Sequence, residues 1–245
     1  MPEKQLAIIV PCYNESKRLV QESFYRFVES HPSVHIFFAN DGSSDDTKLV
    51  LERFTSQHNQ LNLIDFPQNQ GKGEVIRQSA LHIAEKQMIA FDWIGFLDAD
   101  LATPLDEMLR LLQFQNVESK LIIGARFAHL GSDIQRKWYR HYPGRVIATF
   151  ISWILGLEIY DTQCGAKWIH PSIIKKDFHA PFITPWLFDV EMIKRLVKRE
   201  GVSQTKKSIK EIPLKTWVEM GDSKITLLDF MKTPLELLKI YFHYR

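Results

Sequence analysis

The sequence predicts an α/β fold with a mostly parallel central sheet flanked by helices. Three observations lead to this class. Short apolar runs alternate with amphipathic segments through residues 6–100, and the connections between them are short. This alternation is typical of βαβ units, whose strands lie parallel in one sheet. Several apolar runs also end in polar or acidic residues, which would lie together at the ligand-binding edge of such a sheet.

The first strand is predicted at residues 6–10, an apolar run that Pro11 ends. A continuous apolar run of this length is typical of a strand buried on both faces. The same pattern predicts strands at 34–39, 61–65 and 93–97. Amphipathic helices are expected at 16–30, after the turn-rich segment 40–47 and up to about 58, and at 74–86.

The second half continues the alternation with longer irregular segments. We expect a helix up to about 114, a strand at 121–126, a short strand after the turn at 161–165, a helix at 186–200, an edge strand at 209–214 and an amphipathic C-terminal helix at 226–244. No repeat, low-complexity segment or linker interrupts the chain. The expectation is therefore one domain over residues 1–245.

The stretch at 93–100 carries the strongest chemical signal, because its apolar run ends in Asp98 and Asp100. Two carboxylates this close at the end of a buried strand are unfavourable unless a cation or strong hydrogen-bond donors lie between them. A Mg²⁺ or Mn²⁺ ion whose shell is completed by a phosphate-bearing ligand would satisfy both. The alternative is that Asp98 caps the next helix and Asp100 is solvated.

Composition excludes several classes of function. The formal net charge is +2 without a clustered basic face, so no nucleic-acid partner is expected. Cys12 and Cys164 form neither a disulfide framework nor a zinc motif, which fits a cytoplasmic setting. The N-terminus has no signal-peptide pattern, and no apolar stretch is long enough to span a bilayer. A dinucleotide-dependent dehydrogenase is disfavoured because no GxGxxG follows the first strand.

One segment indicates contact with a membrane surface. Basic and aromatic residues are mixed at 132–142, and the segment at 146–159 is strongly apolar. Basic side chains beside aromatic ones, followed by an apolar helix, suit the interface of a bilayer. The alternative is a core helix with a solvated basic end.

Four motifs of the first half, taken in order, resemble the nucleotide-sugar half of family-two inverting glycosyltransferases, which have the GT-A fold. They are PCYNE at 11–15, NDGSSD at 40–45, GKG at 71–73 and DAD at 98–100. The second half is similar to dolichyl-phosphate glucosyltransferases, with mannose synthases as close relatives. Its motifs are GAR at 124–126, Gln135-Arg136 with Arg140, DTQCG at 161–165 and WLFDVE at 186–191.

The resemblance implies a polyprenyl-phosphate hexose synthase with a nucleotide-sugar half at 1–103 and an acceptor half at 104–245. It places Pro11, Tyr13, Glu15 and Asp41 around the base and ribose, Lys72 near the nucleotide, Asp98 near the sugar or ribose, and Asp98 and Asp100 at the metal on the diphosphate. Mannose synthases carry a Gln two residues beyond the second Asp, where this chain has Ala102. That difference favours the glucosyltransferase subgroup, with UDP-glucose as donor.

The acceptor decides which further residues are needed. A phosphate monoester is already an oxyanion at neutral pH, so a polyprenyl phosphate needs cations more than a base. Arg126, Arg136 and Arg140 suit that role because a guanidinium binds phosphate in a bidentate manner. Asp189 would orient the acceptor, or act as base if the acceptor is a saccharide hydroxyl in a glycan.

Other hypotheses remain open at this stage. An Asp-x-Asp phosphatase is disfavoured because three predicted strands precede the motif, and a non-catalytic nucleotide-sugar-binding protein is a further alternative. Individual residues also have structural interpretations: Asp41 as a helix cap, Lys72, Arg136 and Arg140 as solvated cations, and Asp189 with Glu191 as a capping pair. The favoured hypothesis is hexosyl transfer to a polyprenyl phosphate by a peripheral enzyme at the cytoplasmic face of a membrane.

Overall fold

The computed structural model describes residues 4–135, 138–220 and 227–245. Its strands are β1 (Leu6–Cys12), β2 (Val34–Asp41), β3 (Leu61–Phe66), β4 (Trp93–Phe96), β5 (Leu121–Ala125), β6 (Asp133–Gln135), β7 (Lys167–Ile169), β8 (Ile209–Pro213) and β9 (Thr216–Val218). Its helices are α1 (Gln21–Ser30), α2 (Thr47–Thr55), α3 (Lys72–Lys86), α4 (Leu105–Leu112), α5 (Trp138–Leu155), α6 (Pro171–Asp177), α7 (Phe188–Glu200), α8 (Val202–Ser208) and α9 (Leu227–His243).

A seven-stranded sheet in the order β3-β2-β1-β4-β7-β5-β8 forms the centre of the protein. All neighbouring pairs are parallel except those of β7, which is antiparallel to both β4 and β5. The predicted mostly parallel α/β sheet is confirmed. Strands from both halves of the sequence, including the predicted edge strand β8, lie in this one sheet.

Strand β1 shows why the apolar runs form buried strands. Ala7 and Ile9 pack into the core on one face of the sheet, whereas Leu6, Ile8 and Val10 pack into the core on the other. Alternate side chains of a strand point to opposite faces, so a strand covered on both sides is apolar throughout. Helices α3, α6 and α7 cover the first face, and α1, α2 and α4 cover the second.

Helices α6 and α8 were not predicted from the sequence, and two further features differ from the sequence predictions. Helix α1 begins at Gln21, because residues before it form a turn in which Glu15 O accepts from the amides of Arg18 and Leu19. The Ser16 hydroxyl, 2.6 Å from Asp45 Oδ2, holds the start of this turn against the next loop. A parallel pair formed by β6 and β9 was not predicted, because three-residue strands carry no readable periodicity.

The apolar segment at 146–159 belongs largely to α5 and has two different faces. Ile151 and Leu155 are buried in the core, whereas Phe150 and Trp153 are exposed. Within the described parts of the chain, no helix combines the length and hydropathy that a membrane span requires. One face of this segment is therefore core, as the structural alternative predicted, and the other face is open to its surroundings.

Candidate active site

The site lies where the carboxyl ends of the parallel strands meet. The carboxyl ends of β1, β2, β4 and β5 share one edge, because these strands run in the same direction. Strand β7 runs the opposite way, so the turn at 161–166 that precedes it reaches this edge as well. Topology therefore brings together motifs that are widely separated in the sequence.

A tight turn after β4 presents the two aspartates. Pairing with β1 continues past β4 through Leu97 N, 2.9 Å from Ile9 O, and the chain then turns so that Leu101 N donates to Asp98 O at 3.2 Å. Leu101 has φ +52°, a left-handed conformation that is uncommon for a residue other than glycine. Asp100 Oδ1 accepts from Ala102 N at 3.0 Å, which fixes its carboxylate.

Asp98 is held by two neighbours. Lys72, the first residue of α3, places Nζ 2.5 Å from Asp98 Oδ1. Gly165 also packs so closely against Asp98 that a Cβ built at 165 would overlap the carboxylate at Oδ2. A side chain at 165 would displace the carboxylate, so the glycine of the DTQCG motif makes room for it.

The electrostatics of the aspartate pair favour a bound cation. Burial raises the pKa of Asp100; the Ala102 amide opposes this, and the negative charge of Asp98 raises the pKa further. Hard oxygen donors of this kind are the ligands that Mg²⁺ and Mn²⁺ take. Asp98 and Asp100 therefore fit as ligands of a divalent ion. Over the described residues, His, Cys, Asp and Glu side chains form no group of three around such an ion.

Asp41 lies at the end of β2 and holds the loop that leads into α3. Its Oδ1 accepts from Gln70 N at 2.6 Å and its Oδ2 from Gly71 N at 3.0 Å. Burial raises the pKa of Asp41, and these two amide hydrogen bonds oppose the rise. The Asp41 carboxylate thus positions the loop that leads to Lys72, the first residue of α3.

The end of β1 carries the other predicted nucleotide contacts. Pro11 is still within the strand and pairs with Ala39, and Tyr13 beyond it is 39% exposed. Glu15 is buried and forms a bidentate ion pair with Arg18, at 2.8 and 2.9 Å. These residues line the same edge as Asp98, and their contacts with a nucleotide stay predictions.

A buried ion pair that the sequence analysis missed lies behind the site. Lys167, the first residue of β7, is fully buried and places Nζ 2.7 Å from Asp189 Oδ1 in the first turn of α7. The same ammonium donates to Cys164 O. Burial raises the pKa of Asp189, against the opposing charge of Lys167. A lone lysine between apolar strand residues was the signal, because such a charge needs a partner.

Arg126, directly after β5, is already engaged. Its Nε and Nη2 lie 2.7 and 2.8 Å from the carboxylate of Asp161, and the guanidinium carbon lies 5.5 Å from the ring centre of Trp217. Burial opposes the guanidinium charge, but Asp161 outweighs it and raises the pKa of Arg126. Glu211 on β8 accepts from the amides of Tyr160 and Asp161 and so holds the backbone that carries the Asp161 side chain.

The positions of the two other arginine side chains predicted to bind phosphate, those of Arg136 and Arg140, are not described. Arg136 lies outside the described residues. Arg140 belongs to α5, but its side chain is outside what the structure describes. Their role toward an acceptor stays a prediction.

The sequence model of the family described as "Glycosyl transferase family 2" matches residues 7–178. This chain belongs to glycosyl transferase family 2, and the predicted resemblance to that family is confirmed. The matched range contains Asp98, Asp100, Arg126 and Lys167, whereas Asp189 lies beyond it.

Individual relatives with high coverage share one name. The chain is 28% identical over 99% of its length to dolichyl-phosphate beta-glucosyltransferase ALG5C of Trichomonas vaginalis, of which it covers 72%. It is 28% identical to dolichyl-phosphate beta-glucosyltransferase of Saccharomyces cerevisiae, with 98% of this chain and 75% of the yeast protein aligned. The human dolichyl-phosphate beta-glucosyltransferase is 27% identical over 90% of this chain and 74% of its own length.

Solved structures agree on the fold. Glucosyl-3-phosphoglycerate synthase from Mycobacterium tuberculosis, in complex with Mn²⁺, uridine diphosphate and phosphoglyceric acid, superposes with a TM-score of 0.70 over 97% of this chain and 78% of the synthase. A second complex of that enzyme, with Mn²⁺, uridine diphosphate and glucosyl-3-phosphoglycerate, gives a TM-score of 0.69 over 98% of this chain and 80% of the synthase. Identities of 15% and 14% limit the likeness to the fold.

Proposed function

We propose that this protein transfers glucose from UDP-glucose to a polyprenyl phosphate such as dolichyl phosphate, with inversion at the anomeric carbon. The relatives from Trichomonas vaginalis, yeast and human all carry the name dolichyl-phosphate beta-glucosyltransferase and align with at least 90% of this chain. That shared name supports both the sugar and the acceptor.

The buried Lys167–Asp189 ion pair is the observation that carries the choice of acceptor. A saccharide hydroxyl must lose a proton during transfer, so an enzyme for such an acceptor needs an available general base. Asp189 is the carboxylate that the sequence suggests for that task, yet it is 4% exposed and its charge is matched by an ammonium at 2.7 Å. A phosphate acceptor is already an oxyanion, so it does not need this aspartate to remove a proton.

On the donor side, Asp98 and Asp100 would hold a Mg²⁺ or Mn²⁺ ion. When bound, this ion would neutralise negative charge that develops on the departing diphosphate. Lys72 would add a second positive charge beside Asp98, from the amino end of α3. Tyr13, Glu15, Asp41 and Pro11 would surround the base and ribose, since they lie at or just beyond the carboxyl ends of β1 and β2 at the same sheet edge.

On the acceptor side, a phosphate oxygen would attack the anomeric carbon from the face opposite the diphosphate. The new carbon–oxygen bond forms as the bond to the diphosphate breaks, and UDP leaves with the bonding electron pair. Arg126, Arg136 and Arg140 would bind the acceptor phosphate, with Arg126 oriented by Asp161. A polyprenyl acceptor is held in a bilayer, so the enzyme would work as a peripheral protein at the cytoplasmic face of a membrane.

The test is transfer itself. The purified protein is incubated with Mn²⁺ or Mg²⁺, one of several labelled nucleotide sugars, and a short polyprenyl phosphate in detergent. We expect labelled lipid from UDP-glucose, its loss in Asp100→Ala, and its retention in Asp106→Ala, which removes an exposed carboxylate on α4. Labelled lipid formed from a different nucleotide sugar would show that the transferred sugar is not glucose. Consumption of UDP-glucose without labelled lipid, or label on added saccharides, would overturn the acceptor.

A further inference from the structure

Helices α5 and α9 lie side by side at the surface of the protein. The rings of Trp153 on α5 and Tyr241 on α9 stack with centroids 5.8 Å apart and planes 17° from parallel. Each helix buries one side in the core, α5 through Ile151 and Leu155 and α9 through Leu237 and Ile240. The two helices therefore present one combined outer surface.

That outer surface is apolar to an unusual degree. Its large side chains recur at helical spacing and are between 49% and 72% exposed: Val146, Phe150 and Trp153 on α5, and Leu235, Leu238 and Phe242 on α9. We call these six residues the α5/α9 face. Scattered exposed apolar residues are ordinary, but a contiguous patch on adjacent helices is typical of an interaction surface.

The charges beside the α5/α9 face indicate what covers it. Lys232 and Lys239 line the groove on α9 together with Leu235, Phe242 and one acidic residue, Glu236, so the two lysines leave the groove net positive. Lysine is depleted where two proteins meet, but at a bilayer its stem lies along apolar surface while the ammonium reaches anionic headgroups. Tryptophan suits the same boundary because its ring is apolar and its N–H is polar. The combination matches a lipid interface better than a second copy of the chain.

The inner sides of both helices hold the segments that bear the site. On α5, Arg145 donates to Tyr160 O at 3.2 Å and lies 3.8 Å over the Tyr160 ring, next to Asp161. Directly after α9, the Tyr244 hydroxyl donates to Glu191 Oε1 at 2.6 Å, and Glu191 lies in the same helical turn as Asp189. A surface that contacts the α5/α9 face is therefore linked, through Arg145 and Tyr244, to the segments that carry Asp161 and Asp189.

We propose that the α5/α9 face is the surface on which this protein docks to a bilayer that contains anionic lipid. The apolar side chains enter the boundary between headgroups and acyl chains, and Lys232 and Lys239 contact the headgroup phosphates. Docking in this orientation keeps the segments of Asp161 and Asp189 close to the membrane. The inference rests on the proposed function, because a lipid-borne acceptor gives this surface its use.

The experiment measures partition of the full chain into vesicles, without any sugar donor. Vesicles of phosphatidylcholine with phosphatidylglycerol are compared with vesicles of phosphatidylcholine alone. We expect Trp153→Gln/Phe242→Gln to lower the partition coefficient about tenfold or more, since each ring contributes a large buried apolar area. The matched control is Met88→Gln/Val117→Gln, which removes two fully exposed apolar side chains elsewhere and is expected to leave partition unchanged.

A second variant tests the charge without touching an apolar residue. Lys232→Gln/Lys239→Gln is expected to remove the preference for phosphatidylglycerol and to retain weak binding to phosphatidylcholine. Equal partition of wild type, aromatic variant and control, or no vesicle binding by wild type, would overturn the proposal. So would a dimer in sedimentation equilibrium that the aromatic variant dissociates while vesicle binding is unchanged.

These outcomes are separate from those of the transfer assay. Vesicle partition needs no donor, and transfer to a short acceptor in detergent needs no bilayer. Docking through the α5/α9 face without labelled lipid would retain the surface and reject the proposed function. Labelled lipid in detergent with no vesicle binding would do the reverse.

Discussion

Removal of the Lys167 ammonium tests how the buried ion pair is built into the fold. Lys167 is 0% exposed, Asp189 is 4% exposed, and their charged atoms lie 2.7 Å apart. In Lys167→Met the carboxylate remains buried without its counter-charge. Breaking a buried pair in this way costs about 3–5 kcal/mol, a large share of the stability of a typical domain.

The double variant Lys167→Met/Asp189→Leu removes both charges and replaces them with apolar groups. Its loss of stability should be clearly smaller than that of Lys167→Met, because the cost of the single change comes from the stranded charge. Urea unfolding of wild type, both single variants and the double variant completes the cycle. A loss below about 1 kcal/mol in Lys167→Met, or equal losses in the single and double variants, would refute the reasoning.

The pH dependence of the stability of Lys167→Met provides a second, independent test of the buried ion pair. Burial already raises the pKa of Asp189, and loss of the Lys167 charge raises it further. The folded variant then holds a proton that the unfolded chain releases above a pKa of about 3.9. The stability of Lys167→Met should therefore fall as pH rises above that value, by up to about 1.4 kcal/mol per pH unit until the folded pKa is passed. Its difference from wild type should widen only above the pKa that Asp189, already raised by burial, has in wild type. A difference that is flat between pH 5 and pH 8, to within about 0.3 kcal/mol, would contradict a raised pKa.

Three further changes address the site and the helix that supports it. Gly165→Ala should lower transfer at least about tenfold with little change in melting temperature, because the new Cβ displaces the Asp98 carboxylate. Asp100→Asn should weaken Mn²⁺ binding in the presence of UDP, measured by calorimetry, and chelation of the metal should abolish transfer by wild type. Tyr244→Phe removes the hydrogen bond to Glu191 and should destabilise the protein by about 1–3 kcal/mol in thermal unfolding.

Local patterns were sufficient for the sheet and for the motifs at its edge. The apolar runs of β1, β2 and β4 predicted buried parallel strands, and the polar residues that follow them predicted where a ligand binds. Both inferences depend only on the period of side-chain burial and on strand direction. The family resemblance was readable for the same reason, since its motifs are short and contiguous.

Side-chain partnerships were not readable, because they join residues far apart in the chain. Arg126 is bound by Asp161, and Asp41 by backbone amides near residue 70, and neither of these partners was predicted from the sequence. Lys167 reaches Asp189 only because β7 enters the sheet antiparallel between β4 and β5. No local pattern encodes that placement.

The sequence by itself determined the α/β class, the sheet edge that bears the site and the membership of glycosyl transferase family 2. Only the tertiary structure decided that Asp189 is neutralised by a buried lysine, that Gly165 leaves space for Asp98, and that α5 and α9 share one exposed apolar face. The physical reason is the separation along the sequence between the residues that interact. Strand and helix patterns arise from neighbours in sequence, whereas charge pairing, close approach and surface exposure depend on which distant segments the fold brings into contact.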